Sequence, residues 1–239
     1  MFTTSTKKFT ETRKYPELNI KAVFFDMDGV LYDSMKYHAK AWVRAMKEMN
    51  LPFTEHDCYM NEGSTGSSTI NKVMIKEWGR EASEEEKENI YKLKSEYFNE
   101  EGRVNTMPFA LDLLKKIKSE SLQIFVVTGS GQPGLINGLE RDFPGIFEEG
   151  KMVTAFDVKK GKPDPEPYLM ALEKSGVEAW EALVVENAPL GVQAASEAGL
   201  FCIGVNTGPL DSKVLSDAGA NIVLNSMEEL YHNWEKIIR

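Results

Sequence analysis

Residues 22–34 read AVFFDMDGVLYDS, an apolar run suited to a buried strand that stops at two carboxylates, Asp26 and Asp28, and a glycine. Residues two apart in an extended strand point to the same side, so both acids face one site. At the C-terminal end of a parallel strand they lie where α/β sheets bind ligands. Two unit charges about 4 Å apart repel by roughly 4 kcal/mol at an effective dielectric of 20, which favours a cation between them. Oxygen-only ligation suggests Mg²⁺. On these residues alone, a strand-end turn with aspartates capping the backbone stays open as the alternative. An EF-hand fits poorly, because Val30 and Leu31 stand where that loop needs oxygen ligands and glycine.

Further short apolar runs follow at 122–127 (LQIFVV), 182–185 (ALVV), 201–205 (FCIGV) and 221–224 (NIVL), after IKAVFF at 20–25. Strands apolar on both faces belong to parallel sheets covered by helices. Between them lie helical patterns with clear punctuation. Pro108 opens a segment with Ala110, Leu113, Leu114 and Ile117 on one face, and Pro133 opens one with Leu135, Ile136 and Leu139. Pro189 begins a helix that Gly199 ends. The alternation predicts an α/β, Rossmann-like doubly wound parallel sheet. It is broken once. From Ser34 to Glu101 the signals are helical only: an apolar stripe of Met35, Ala39, Trp42, Val43 and Met46, then a Ser83/Glu86 capping box ahead of Ile90, Leu93 and Tyr97. The expected division is a polar N-terminal extension over 1–19, a core of 20–34 plus 105–239, and an inserted helical cap over 35–104.

Composition narrows the function. The chain has 239 residues, enough for one large domain with a smaller one, and 42% hydrophobic residues, ordinary for a globular protein. With 28 basic against 37 acidic residues the net charge is -9, which argues against nucleic acid as a partner. There is no apolar run of about 18 residues to cross a bilayer, so no membrane association is expected. The N-terminus lacks the apolar centre of a secretory signal. The two cysteines, Cys58 and Cys202, are too few for a disulfide framework and fit a reducing cytoplasm. A monomer acting on a small phosphate-containing substrate is the expectation.

Three more strand ends carry chemistry. Thr128, Gly129 and Ser130 follow LQIFVV, offering a hydroxyl and flexible backbone amides suited to a phosphate oxygen. GKPDP holds Lys162 between glycine and proline. ALVV ends in Glu186 and Asn187, two oxygen-bearing side chains that would otherwise cap the Pro189 helix. In the order hhhhDxDG, hhhTGS, GKPDP and hhEN, the set resembles the haloacid dehalogenase superfamily over residues 20–225, and the helical insertion is similar to its β-phosphoglucomutase-like branch. The resemblance implies Asp26 as nucleophile forming an aspartyl phosphate, and Asp28 as general acid and base. It implies Mg²⁺ held by Asp26, the Asp28 carbonyl, Glu186 and Asn187, with Thr128 and Lys162 clamping phosphoryl oxygens. In such proteins a histidine at the position of His38 helps place the general acid, and the cap closes over the site.

Departures bear on the substrate. In YMNEGSTGSST, Glu62 and Gly66 stand where sugar-phosphate mutases carry basic residues for a second phosphate, and Asn187 replaces the usual aspartate. Both features resemble the inorganic pyrophosphatases of the same branch, which implies Glu62 ligating Mg²⁺ directly or through water, a small leaving group, and slower turnover of small phosphomonoesters. A β-phosphoglucomutase or sugar-phosphate phosphatase is the alternative, sharing every core residue. A noncatalytic phosphate-responsive module such as a receiver domain fits less well, because receivers lack a helical insertion after the first strand.

Overall fold

The computed structural model describes residues 2–238. Each expected apolar run holds a strand: β1 (Ala22–Phe25), β2 (Gln123–Val127), β4 (Ala182–Glu186), β5 (Phe201–Val205) and β6 (Ile222–Leu224). A sixth, β3 (Met152–Val153), is only two residues long and left no pattern to read. The strands form one sheet in the order β3-β2-β1-β4-β5-β6, every pair parallel. β1 is therefore central, and the chain moves outward from it in both directions, to β2 on one side and β4 on the other. That reversal leaves a crevice at the C-terminal end of β1, the usual ligand position in such sheets.

Alternation along β1 divides the core. Val23 and Phe25 pack with Leu113, Leu114 and Ile117 of α6 (Ala110–Ser119) and Trp234 of α12 (Met227–Ile238). Ala22 and Phe24 pack with Tyr168 and Ala171 of α9 (Glu166–Ser175), Val192 of α10 (Pro189–Glu197) and Leu215 of α11 (Ser212–Asp217). With both faces covered, all four β1 residues are fully buried, which explains a run with no polar alternation. The segment opened by Pro133 is two short helices, α7 (Pro133–Ile136) and α8 (Leu139–Asp142), rather than one. Asn137 and Gly138 interrupt it, both poor helix-interior residues.

Between β1 and α6 the chain forms α2 (Met35–Glu48), α3 (Glu55–Met60), α4 (Gly66–Trp78) and α5 (Glu84–Glu100). Met35, Trp42, Met46, Ile70, Met74 and Ile90 build a separate apolar cluster within this block. The Ser83/Glu86 capping box forms as the sequence indicates. The buried face of α5, however, is Ile90, Lys94 and Phe98 rather than Ile90, Leu93 and Tyr97.

The N-terminal stretch also departs from expectation. Residues of the supposed polar extension form α1 (Phe2–Arg13); Met1 lies outside the described residues. Phe9 is buried and meets Phe201 edge to face at 5.3 Å, and Tyr15 stacks obliquely on Trp180 at 5.4 Å. Two aromatic anchors in an otherwise polar segment fasten it to the sheet, a contribution that average polarity conceals. No helix among the described residues is long and apolar enough to cross a membrane.

Candidate active site

Asp26, one residue beyond β1, is 2% exposed, and its backbone N–H donates to Val185 O at 3.0 Å, which fixes it to the neighbouring strand. Burial, with repulsion from Glu186 and Asp28, pushes its carboxyl up to about 8 despite the Lys162 ammonium. Ionising this acid at neutral pH therefore calls for more positive charge than the lysine supplies.

Lys162 is 1% exposed and fully committed. Its Nζ donates to Asp26 Oδ1 at 2.6 Å, Glu186 Oε1 at 2.6 Å and Val127 O at 2.9 Å, using all three protons. Without a bound phosphate the lysine ties β1, β2 and β4 together and offsets the acids. Glu186 is bound on both oxygens. Its Oε1 accepts from Lys162 and from Tyr168 Oη at 2.9 Å, and its Oε2 accepts the N–H groups of Asn187 and Ala188 at 2.9 and 3.1 Å.

Asn187 is the better donor. Its Nδ2 donates to Glu62 Oε1 at 2.6 Å, and its buried Oδ1 has no hydrogen-bond partner. Glu62, 7% exposed, is not a solvated loop acid. Burial raises its carboxyl well above the ordinary range, the Asn187 bond opposes this, and Asp26, Glu186 and Asp28 add repulsion. An orphaned amide oxygen beside acids that resist ionisation fits a hard divalent cation held by Asp26, the Asp28 carbonyl and Asn187. Among the described residues no cluster of three or more His, Cys, Asp or Glu side chains is arranged to hold a metal, so the donor set depends on the carbonyl and the amide.

Asp28 faces the same cavity, with Oδ1 accepting from Ser34 Oγ at 2.6 Å and meeting His38 Nε2 at 2.9 Å. His38 Nδ1 is 2.8 Å from Lys94 Nζ. An ammonium only donates, so Nδ1 accepts and Nε2–H donates to Asp28. Burial and then the Lys94 charge hold His38 below its usual value, in keeping with a neutral ring. Burial alone would raise Asp28, but His38, the Ser34 hydroxyl and the Lys94 charge prevail and bring it to about 2. Burial lowers Lys94 itself to about 8, partly countered by Asp28.

Thr128, Gly129 and Ser130 line the cavity beside Asp26. Thr128 N donates to Val153 O at 2.9 Å, and its Oγ1 accepts from Ser130 N at 3.0 Å, a turn that holds the loop at the end of β2. The loop leading into α4 closes the other side. A Cβ on Gly129 would stand 2.2 Å from Gly63 O, and one on Gly161 would stand 2.5 Å from Thr65 Cγ2. Glycine at both positions lets the two halves touch, leaving a cavity of about 60 Å³. Sequence reasoning missed Lys94, though its spacing four residues from both Ile90 and Phe98 places it on the buried stripe.

Residues 23–205 match the family model of the haloacid dehalogenase-like hydrolases. The chain belongs to this family. Among proteins of named activity, a phosphorylated carbohydrates phosphatase of Thermotoga maritima is 31% identical over 221 residues, covering 92% of this chain and 100% of that one. The β-phosphoglucomutase of Bacillus subtilis is 28% identical, covering 91% and 96%. A solved structure of a candidate β-phosphoglucomutase from Bacteroides vulgatus superposes with a TM-score of 0.96 at 52% identity, covering 99% of this chain and 96% of that one. The haloacid dehalogenase-like hydrolases that this chain resembles thus include a phosphatase of phosphorylated carbohydrates and a β-phosphoglucomutase.

Proposed function

We propose that this hydrolase cleaves small phosphate compounds through an aspartyl phosphate on Asp26, with pyrophosphate as the preferred substrate. The observation that carries the preference is Glu62, buried at 7% exposure and bonded to Asn187 at 2.6 Å, in a cavity of about 60 Å³. Typical small-molecule pockets measure roughly 300–1,000 Å³, so the closed site has room for a phosphate group but not for a hexose ring beside it.

In the first half-reaction a carboxylate oxygen of Asp26 attacks phosphorus, the bridging P–O bond breaks, and its electron pair leaves with the departing phosphate. In the second, water attacks the acyl phosphate, its proton passes to Asp28, and Asp26 is released. Asp28 accepts hydrogen bonds from Ser34 and His38, so it is held as a carboxylate, the form a base requires. A phosphate leaves as a stabilised anion, whereas a sugar alkoxide needs protonation first. The Thr128 hydroxyl and the Gly129 amide bind the phosphoryl oxygens, with Ser130 N holding Thr128 in place, and Lys162 offsets the charge of Asp26. A Mg²⁺ ion bound by Asp26, the Asp28 carbonyl and Asn187 would supply the charge neutralisation that lets an anionic nucleophile meet an anionic substrate.

The names of the relatives favour a second reading, a sugar phosphate admitted when the cap opens. Phosphate release from pyrophosphate, β-glucose 1-phosphate and phenyl phosphate, with and without Mg²⁺, separates the two. Pyrophosphate should turn over fastest, and Glu62→Ala should remove that advantage. Faster release from the sugar phosphate, or a preference untouched by Glu62→Ala, would support the second reading instead.

A further inference from the structure

Ser64 has no role in the chemistry described so far. Its hydroxyl oxygen is shielded from solvent yet has no hydrogen-bond partner; among the described residues the one other such side-chain atom is Asn187 Oδ1. A hydroxyl that gives up water without a replacement loses free energy unless a ligand supplies the partner.

Its position indicates what that ligand is. Ser64 lines the same cavity as Asp26, Asp28 and Thr128. Gly63, at φ +86°, turns the loop so that Glu62 reaches Asn187 while Ser64 lies over the phosphate loop. A Cβ on Gly63 would sit 3.2 Å from Lys162 Cδ, and the Ser64 carbonyl would be 3.4 Å from a Cβ on Gly129. Ser64 is therefore pressed against the core from the insertion side, opposite the strand end that carries the nucleophile. Three other polar groups contributed from that side are already engaged. Glu62 bonds Asn187, Asn61 bonds Asp57 and Lys72, and Lys94 bonds His38.

We infer that Ser64 is a specificity-determining residue whose hydroxyl donates a hydrogen bond to an oxygen of the leaving group as the insertion closes. The inference rests on the phosphohydrolase reading and deepens it. A neutral donor of this reach suits a compact leaving group rich in acceptor oxygens, such as phosphate, and offers nothing to an apolar one. Ser64 recognises the part of the substrate that departs, so its effect belongs to the first half-reaction alone.

The test compares Ser64→Ala and Ser64→Thr with the wild type on pyrophosphate, β-glucose 1-phosphate and phenyl phosphate, each with Mg²⁺. Loss of a hydrogen bond to a charged group predicts a fall in kcat/KM of roughly tenfold for Ser64→Ala on pyrophosphate, against twofold or less on phenyl phosphate. Ser64→Thr keeps the hydroxyl and should stay within about threefold of the wild type on pyrophosphate. Hydrolysis of the preformed phosphoenzyme, followed in single turnover, should proceed at the wild-type rate in Ser64→Ala. Equal losses on all three substrates, no loss on any, or a slowed phosphoenzyme hydrolysis would overturn the inference. If the wild type prefers the sugar phosphate, the pyrophosphatase reading fails, and the Ser64 comparison is then read on the sugar phosphate against phenyl phosphate.

Discussion

At the scale of single residues, the site works by assigning protons through burial. Lys94 can only donate, His38 must then accept on Nδ1, and Asp28 receives the Nε2 proton. Lys94→Met keeps the stem but removes the charge that depresses His38. The imidazole of that variant should titrate at a higher pH than in the wild type, as read by NMR, and kcat/KM should fall roughly tenfold to a hundredfold. An unmoved His38 titration would break the chain of donors. Asp28 supplies a pH prediction. Its carboxyl lies near 2 in the folded protein against an ordinary 3.8, so the unfolded chain binds that proton more readily. The resulting stabilisation, about 2 kcal/mol, is complete above pH 3.8 and disappears as pH falls toward 2. Urea unfolding of wild type and Asp28→Asn should show their difference shrinking across that window; a constant gap would contradict the assignment.

Secondary-structure elements bring these residues together, and their contacts explain what could be read beforehand. Three of the four motifs were legible because each ends or follows a strand whose apolar run is dictated by helices on both faces; GKPDP lies beyond the two-residue β3 and was legible from its glycine and prolines. The start of α5 was legible through Ser83 and Glu86, a local hydrogen-bonding pair. Its buried face was not, because Lys94 is 3% exposed only by virtue of distant partners: His38, and the rings of Trp42, Tyr91 and Phe98 at 5.6, 5.5 and 5.2 Å from Nζ. The spacing from Ile90 and Phe98 puts Lys94 on the buried stripe, but the partner that its ammonium meets there, His38, lies 56 residues away. The bonds that Glu186 makes to Lys162 and to the turn into α10 were equally hidden, since Lys162 lies 24 residues away. The seam between Gly129 and Gly63 was also invisible in sequence and is open to test. Gly129→Ala introduces a carbon 2.2 Å from a backbone oxygen and must hold the two loops apart. A displacement of that order predicts a loss of about a hundredfold in kcat/KM on pyrophosphate with the fold intact by circular dichroism. Undiminished turnover would show that closure is not needed.

For the whole molecule, the sheet and the insertion divide the work. The topological reversal beside β1 gathers Asp26, Thr128 and Asn187 from three strand ends, which sets the reaction. The helical block supplies Glu62 and Ser64, which in the proposed reading set the size and charge of what departs, and Lys94, which fixes the His38 tautomer. Covalent chemistry at Asp26 is central to the proposed reaction. Its most direct test is acid-quenched mass spectrometry of the Asp28→Ala variant mixed with pyrophosphate and Mg²⁺, since loss of the base should slow hydrolysis of the intermediate. One phosphoryl group on the peptide carrying Asp26, absent when Asp26→Asn is added, is the predicted result. Phosphate release in the wild type with no labelled peptide in the variant, or a label on any other residue, would contradict it.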